Sequence, residues 1–187
     1  GEPGERFTYN NGGYVVLALL AERATGVAFH DLVEQRVCVP AGMTDTAFLR
    51  SDELPGRAAL GYLDDAGLRT NVLHLPVRGN GDGGIYTPAA DVHALWEALF
   101  ARRIVSPETV ELMVHPRSDV PAESMRYGLG FWIEESGDAV SIHGFDAGVG
   151  FVSVCDRARR CTYTVLCNTT RGAWPTSQGI GELIASR

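Results

Sequence analysis

A tyrosine and two asparagines, Tyr9, Asn10 and Asn11, stand directly before an apolar helical pattern in FTYNNGGYVVLALLAERATG. A phenol can exchange a proton in a reaction, and an amide can position a substrate by hydrogen bonds. The same residues fit a plainer interpretation, in which Asn10 or Asn11 caps the helix and Tyr9 is a half-buried loop aromatic. The stretch alone leaves both interpretations open.

Other sequence patterns that could form a binding or catalytic site are weaker. Gly79, Gly81 and Gly84 fit the G-x-G-x-x-G spacing of dinucleotide sites, but LPVR before them is a poor strand and no acidic ribose partner is well placed. No two histidines are four residues apart, so no metal site is predicted. Asp91 lies in the first turns of a predicted helix, where a carboxylate has a structural role. We therefore expect neither a metal nor a cofactor.

Composition narrows the class of partner. All 16 cationic residues are arginines, against 23 acidic residues, and the formal net charge is −7. This balance argues against a nucleic-acid surface and provides no basic stripe for a membrane. No apolar run reaches the roughly 18 residues of a transmembrane helix. The sequence therefore favours a small-molecule or peptide substrate, and it predicts no particular compartment.

The first 50 residues contain two helical patterns. Apolar residues at helical spacing over 14–24, followed by Gly26, predict a packed helix of about four turns. A shorter helix is predicted over 30–36. Pro40 and Gly42 then predict a turn.

The middle of the chain combines a long loop with two more helices. Residues 50–80 are rich in Gly, Asp and Pro, which predicts a surface excursion with at most short strands. Thr87 followed by Pro88 predicts an N-cap and a first helical residue, and an apolar stripe follows. Ser106 and Pro107 repeat that signal and predict a helix that ends near residue 114.

The last third of the sequence is typical of a sheet. YGLGFWIEE, AVSIHG, GVGFVSVCD and CTYTVLCN are short β-branched or aromatic runs separated by turn residues. They predict antiparallel strands with a hairpin loop over 156–160 and a final helix over 175–186. Cys155 and Cys161 could face each other across that hairpin, although free thiols are favoured. The pattern indicates an α+β fold with a helical and loop part over 1–125 and strands and a C-terminal helix over 126–187.

The order of five motifs gives these elements a family resemblance. They are YNNGGYVVLALLAERATG, VPAGMTDTAF, GDGGIYTPAADVHALWEAL, YGLGFWI and HGFDAGVGF. This order resembles the C-terminal part of the serine β-lactamase and penicillin-binding-protein superfamily, in the branch of class C β-lactamases, D-alanyl-D-alanine carboxypeptidases and esterases. The resemblance implies a β-lactamase/transpeptidase-like antiparallel sheet packed with helices. It also implies a site of three elements: an SxxK helix, a YxN loop, and a KTG or HxG strand.

Tyr9, Asn10 and Asn11 match the YxN element. The resemblance implies that Tyr9 exchanges a proton with the nucleophilic serine and the leaving group. It implies that Asn11 hydrogen-bonds the substrate amide and the SxxK lysine. A free phenol has a pKa of about 10, so nearby cations must favour the phenolate if a tyrosine is to act as a base at neutral pH.

The chain contains no lysine, and therefore no Ser-x-x-Lys. We expect the nucleophile upstream of Gly1, so that residues 1–187 are a single partial domain that lacks the N-terminal part of the fold. The isolated chain should then be inactive. One face of the sheet and of the first helix should expose apolar surface, which favours self-association or an upstream segment of the same protein as its cover.

The third element can be aligned in two registers. Family members have Gly two residues after the catalytic Lys or His and a second Gly four residues later. Matching Gly144 and Gly148 puts Ile142 at the cation position, whereas the alternative uses His143 and leaves Phe145 where glycine is expected. Spacing favours the first register, and Phe145 would also crowd the approach of a substrate backbone. If Ile142 faces the site, the group that would hold a substrate carboxylate is missing, which favours a neutral ester or amide.

The candidate catalytic residues are therefore Tyr9, Asn11 and His143, with Gly144 as a substrate-binding residue. Two functions follow from the resemblance. The first is the C-terminal portion of a serine hydrolase that cleaves an ester, amide or β-lactam through an acyl-enzyme. The second is a penicillin-binding-protein-like binding or regulatory module without catalysis. A Ser-x-x-Lys upstream in the parent reading frame would distinguish them.

Overall fold

The computed structural model describes residues 2, 4–64, 66–135 and 137–186, and it confirms the predicted α+β class. The helices are α1 (Asn11–Thr25), α2 (Phe29–Val33), α3 (Val39–Ala41), α4 (Ala89–Phe100), α5 (Pro107–Val114) and α6 (Ala173–Ala185). The strands are β1 (Ser118–Val120), β2 (Met125–Tyr127), β3 (Trp132–Glu134), β4 (Val140–Asp146), β5 (Val149–Asp156) and β6 (Cys161–Cys167).

Helix α1 begins and ends where the sequence predicts. The side chain of Asn10 accepts a hydrogen bond from the backbone N–H of Gly13 and so caps the helix. Gly26 ends it in the left-handed conformation, with φ of 71°, and its N–H donates to the carbonyl of Glu22.

The second helical segment is longer than predicted, because the helix continues through Pro40 and the turn predicted over Pro40 and Gly42 comes only at Gly42. Between α2 and α3 the chain continues through a π-helical turn over Glu34–Cys38, in which the N–H of Val39 donates to the carbonyl of Glu34. Such a widened turn displaces the preceding carbonyl with which a proline ring clashes, so the helix passes through Pro40. It ends at Gly42, whose φ is 77°.

The segment between α3 and α4 has no regular helix or strand of its own within the described residues, in agreement with the predicted excursion. Isolated bridges hold it, among them Ala47 with Tyr86 and Tyr62 with Thr169. The second of these bridges ties the excursion to the residues that follow β6. The excursion is therefore fixed to the sheet at a few points.

Within the described residues, six strands form one antiparallel sheet in chain order. Strand β4 pairs with β5 along its whole length, and β5 pairs with β6 up to Asp156 opposite Cys161. The predicted hairpin loop is thus confirmed. In this register Cys155 lies opposite Thr162, and all four cysteines are free.

Helix α4 packs on one face of the sheet and α6 on the other. The indole N–H of Trp96 in α4 donates to the hydroxyl of Ser153 at 2.7 Å. Tyr163 of β6 lies opposite Val154, the next residue along β5, and its hydroxyl reaches the carbonyl of Ser177 in α6. Neighbouring residues in a strand point to opposite faces, so these contacts define two layers around the sheet. The larger core cluster lies on the α4 face and contains Val92, Trp96, Leu99, Val110, Phe131, Ile133, Val140 and Cys155.

The start of α4 differs from the prediction by one residue. Pro88 is the N-cap, and no side chain caps the helix, because the hydroxyl of Thr87 pairs with that of Thr46 at 2.7 Å. Asp91 accepts hydrogen bonds from the Thr46 hydroxyl and from the backbone N–H of Asp45. Asp91 is therefore a buried anchor for the loop before α4, consistent with the structural role predicted for it.

The predicted starts of α5 and α6 lie at or near the observed ones. Ser106 caps α5 and Pro107 is its first residue, as predicted. Helix α6 begins at Ala173, two residues before the predicted start, because Pro175 fits the first turn of a helix, where its missing N–H has no partner to lose. Among the described residues no single helix is long and apolar enough to cross a membrane; α1 and the Phe29–Ala41 segment meet that test only as a pair bent by 85°.

Candidate active site

Tyr9 lies immediately before α1, and its side chain is 63% exposed. Asn10 is the cap of that helix, and Asn11 is its first residue. Of the two asparagines that could have capped the helix, Asn10 therefore does so. The phenol of Tyr9 and the amide of Asn11 stand at the exposed start of a regular helix, where a rigid backbone orients them.

An aromatic cluster ties this helix start to the sheet. The ring of Phe7, two residues before Tyr9, lies 5.2 Å from the ring of Tyr127 in β2 and 6.0 Å from that of Trp132 in β3. Tyr127 and Trp132 lie opposite each other in the sheet and meet edge to face at 4.9 Å. The loop that carries Tyr9 is thus packed against β2 and against β3, which is the neighbour of β4.

A hydrogen bond joins α1 to the same cluster. The hydroxyls of Tyr14 and Tyr127 lie 2.6 Å apart. Burial raises the pKa of Tyr127 far above its usual value, and the neighbouring hydroxyls of Tyr14 and Tyr9 raise it further. Tyr127 therefore stays protonated at neutral pH.

The glycine-rich loop before α4 supports α1 from another side. A Cβ on Gly81 would collide with the backbone carbonyl of Tyr14 and with the side chain of Ala18. Only glycine permits so close an approach of the loop to the helix. Gly81 is thus explained by packing against the helix that carries the YxN residues, while Gly79 and Gly84 approach each other closely within the loop.

The two candidates for the cation position lie on opposite faces of β4. Ile142 packs against the core cluster on the α4 face. His143 is on the other face, where its ring lies 5.8 Å from that of Trp132, nearly parallel, and 5.4 Å from that of Trp174. Burial lowers the pKa of His143 to about 4, so the imidazole is neutral at pH 7. Neither residue presents a positive charge at neutral pH.

Gly144 lies on a stretch of β4 that is open on one side. Strand β3 pairs with β4 only at Val140 and Ser141, so that within the described residues the sheet has a free edge from Ile142 onward. A Cβ on Gly144 would meet only the ring of Phe151, at 3.8 Å. Such an edge can pair with an extended backbone, which is how peptides often bind to sheets.

Contacts among Phe7, Tyr127 and Trp132 thus connect the loop that carries Tyr9 to His143 on β4. Sequence reasoning missed the three joining residues. The motif YGLGFWI contains two of them, but their roles depend on contacts between residues more than 100 positions apart. Among the described residues, no group of three or more His, Cys, Asp or Glu side chains could hold a metal ion.

An antiparallel sheet between helical layers, with a YxN helix start packed against β2 and β3, is typical of the class of serine β-lactamases and penicillin-binding proteins. The model of the Beta-lactamase family matches residues 1–180. The chain belongs to the Beta-lactamase family.

Individual relatives agree with this assignment. A penicillin-binding protein of Bacillus subtilis is 28% identical over 148 residues, which cover 72% of this chain and 33% of the relative. A D-aminopeptidase of Brucella anthropi is 29% identical over 136 residues, or 73% of this chain and 26% of the relative. The crystal structure of a penicillin-binding protein from Bacillus halodurans superposes with a TM-score of 0.91 at 33% identity, covering 98% of this chain and 58% of that one. The chain thus spans about a third or less of the length of these two curated relatives.

Proposed function

We propose that these residues are the C-terminal portion of a serine hydrolase that cleaves a neutral ester or amide through an acyl-enzyme. The observation that carries the proposal is the position of Tyr9 and Asn11 at a rigid helix start that is packed, through Phe7 and Trp132, beside the open edge of β4. The nucleophilic serine and its lysine come from a preceding segment of the longer protein.

Each residue then has a chemical role. Tyr9 moves the proton between the serine hydroxyl and the leaving group, since its phenol is exposed to a ligand. Asn11 holds the substrate carbonyl or amide by hydrogen bonds. The backbone of Gly144 pairs with the substrate along the free edge of β4.

The electrostatics of the third element favour a neutral substrate. Ile142 is apolar, and His143 is neutral at pH 7 because it is buried between indole rings. A substrate carboxylate would find no cation at either residue. His143 would thus act as a packing residue that fixes β4 rather than as a charge, and similarity to a D-aminopeptidase supports an amide or peptide substrate.

A binding module without catalysis is the second candidate. The uncharged third element favours it, because neither Ile142 nor His143 supplies a cation to the site. Reading the parent gene upstream of Gly1 separates the two candidates, since a Ser-x-x-Lys in that segment supports catalysis and its absence supports binding alone.

Kinetics on the full-length protein test the proposal directly. We expect hydrolysis of short-chain esters or D-amino-acid amides, and a weaker reaction with a carboxylate-bearing cephalosporin. Tyr9→Phe keeps the ring but removes the proton, so kcat should fall by about 10² to 10⁴. Tyr163→Phe is the matched control, because it removes a phenol hydroxyl that contacts Ser177 in α6, on the same face as Tyr127 but on β6, the edge strand at the other end of the sheet. Full activity of Tyr9→Phe on every accepted substrate would overturn the proposed role of the YxN residues.

A further inference from the structure

Two tyrosines meet near the candidate site, and Tyr9 differs from both in exposure. Tyr9 is 63% exposed, whereas Tyr14 and Tyr127 are half-buried and share the 2.6 Å hydrogen bond between their hydroxyls. That bond joins α1 to the sheet across 113 positions of sequence. The hydrogen bond is short and partly shielded from water, so it fixes the relative position of the two rings.

We infer that Tyr127 is a positioning residue, which holds the Tyr9–Asn11 end of α1 in register with β4 through its hydrogen bond to Tyr14. The inference rests on the proposed function, because it assigns Tyr127 a part in the reaction that Tyr9 carries out.

The packing around the bond supports this role. Tyr14 lies in the first turn of α1, three residues after Asn11, and its backbone carbonyl is in close contact with Gly81. The ring of Tyr127 is held by Phe7 and Trp132, at 5.2 and 4.9 Å. Both partners of the hydrogen bond are thus fixed independently, so the bond sets the position of the helix start relative to the sheet.

The same contacts extend to β4. Trp132, which packs on Tyr127, also stacks on His143 and pairs with Ser141 at the last residue of β4 that β3 covers. A displacement of α1 would therefore change the distance between Tyr9 and the open edge at Gly144. Small displacements of reacting groups are costly in rate even where binding is little affected.

Tyr127 is unsuited to be the proton carrier itself. Its burial and its bond to Tyr14 keep its pKa far above the usual value, so its hydroxyl remains a hydrogen-bonding group and not a base. Exposure, by contrast, allows Tyr9 to meet a substrate. The two phenols have separate roles, proton transfer for Tyr9 and positioning for Tyr127. Tyr9→Phe should therefore remove a reacting group, whereas Tyr127→Phe should only displace one.

The test compares Tyr127→Phe, Tyr14→Phe and the double variant in the full-length protein, with Tyr163→Phe as the control. We expect kcat on the best ester or amide to fall roughly 3- to 10-fold in each of the first three, with KM unchanged. The double variant should lose no more than either single variant, because all three break one bond.

Hydrogen–deuterium exchange provides a readout that does not depend on activity. Backbone amides near the start of α1 should exchange faster in Tyr127→Phe than in Tyr163→Phe. Unchanged exchange at this end, or kcat equal to that of the control, would overturn the inference even if Tyr9→Phe confirms the proposed function. Faster exchange in Tyr127→Phe together with full activity of Tyr9→Phe would refute the proposed function. Tyr127 would then be only a structural anchor of α1, so the catalytic part of the inference would be overturned as well.

Discussion

Helices α1 and α4 are both apolar, but the structure covers only one of them. In α4, Trp96 is 1% exposed and lies in the larger core cluster. In α1, Leu17 and Leu20 are 57% and 55% exposed, and Ala18 is the helix's buried residue. The start of α1 is nevertheless fixed by Phe7 and Tyr14. An apolar pattern indicates that a helix needs a covering partner. The contacts at the ends of the helix decide where it is held.

The uncovered face of α1 agrees with the predicted exposure of apolar surface. Val15, Val16 and Leu19 belong to it together with the two leucines above. Because the family relatives are longer than this chain, we propose that a preceding segment of the parent protein covers this face. Self-association of the isolated chain is the alternative cover.

The largest expected effect on stability comes from removing a buried side chain of α4, the helix that the structure covers. Trp96→Ala removes a buried ring that packs on Phe131 at 5.5 Å, and it also removes the donor to Ser153. We expect a loss of about 3 to 5 kcal/mol in the free energy of unfolding, measured by urea titration. Trp96→Phe should lose much less, since the ring stays. Equal losses for the two variants would show that packing is not what distinguishes α4.

Burial of His143 on the sheet also makes the stability of the protein depend on pH. Unfolded histidine titrates near pH 6.5, whereas the folded pKa of His143 is about 4. Between these values the unfolded chain binds a proton that the native chain does not. Stability should therefore be full above about pH 6.5 and decline by up to about 3 kcal/mol as the pH falls to 4.

Thermal melts of His143→Phe across that range check this expectation. The variant keeps an aromatic ring between Trp132 and Trp174 but has no proton to bind. Its melting temperature should change less between pH 7 and pH 4 than that of the parent. His74→Gln, at an exposed histidine outside the aromatic cluster, is the control. Identical profiles for His143→Phe and the parent would contradict the buried state of His143.

A smaller effect distinguishes the two asparagines at the start of α1. Asn10→Ala removes the side-chain acceptor for the N–H of Gly13 and should cost about 1 kcal/mol in the free energy of unfolding. Asn11→Ala should change stability little, because Asn11 is a helical residue and not the cap. A urea titration of both variants tests the difference. An equal or reversed order would show that the helix is capped differently in solution.

The smallest effect is expected on the exposed side of α1. In the 187-residue chain, Leu17→Ala should change the free energy of unfolding by at most about 0.5 kcal/mol, because the side chain is exposed. In the full-length protein the same change should cost about 2 to 5 kcal/mol if a preceding segment buries Leu17. A large loss in the short chain would mean that its molecules already cover this face by association, which sedimentation would reveal.

Local signals were read well from the sequence where they depend on neighbouring residues. The cap at Asn10, the stop at Gly26, the Ser106–Pro107 start and the hairpin after Asp156 all follow from side-chain and backbone chemistry within a few positions. The turn predicted over Pro40 and Gly42 comes only at Gly42, because a π-helical turn lets the helix continue through the proline and local propensity does not encode that turn.

The sequence by itself determined the fold class, the family and the Tyr9–Asn11 helix start, because periodicity and motif order are properties of the chain. Only the tertiary structure decided that His143 lies between two indoles, that Ile142 faces the α4 core, and that Tyr127 reaches Tyr14. The physical reason is that strand alternation gives two faces but does not say which partner covers each. That choice depends on packing between segments far apart in sequence, which also sets the desolvation of His143 and Tyr127.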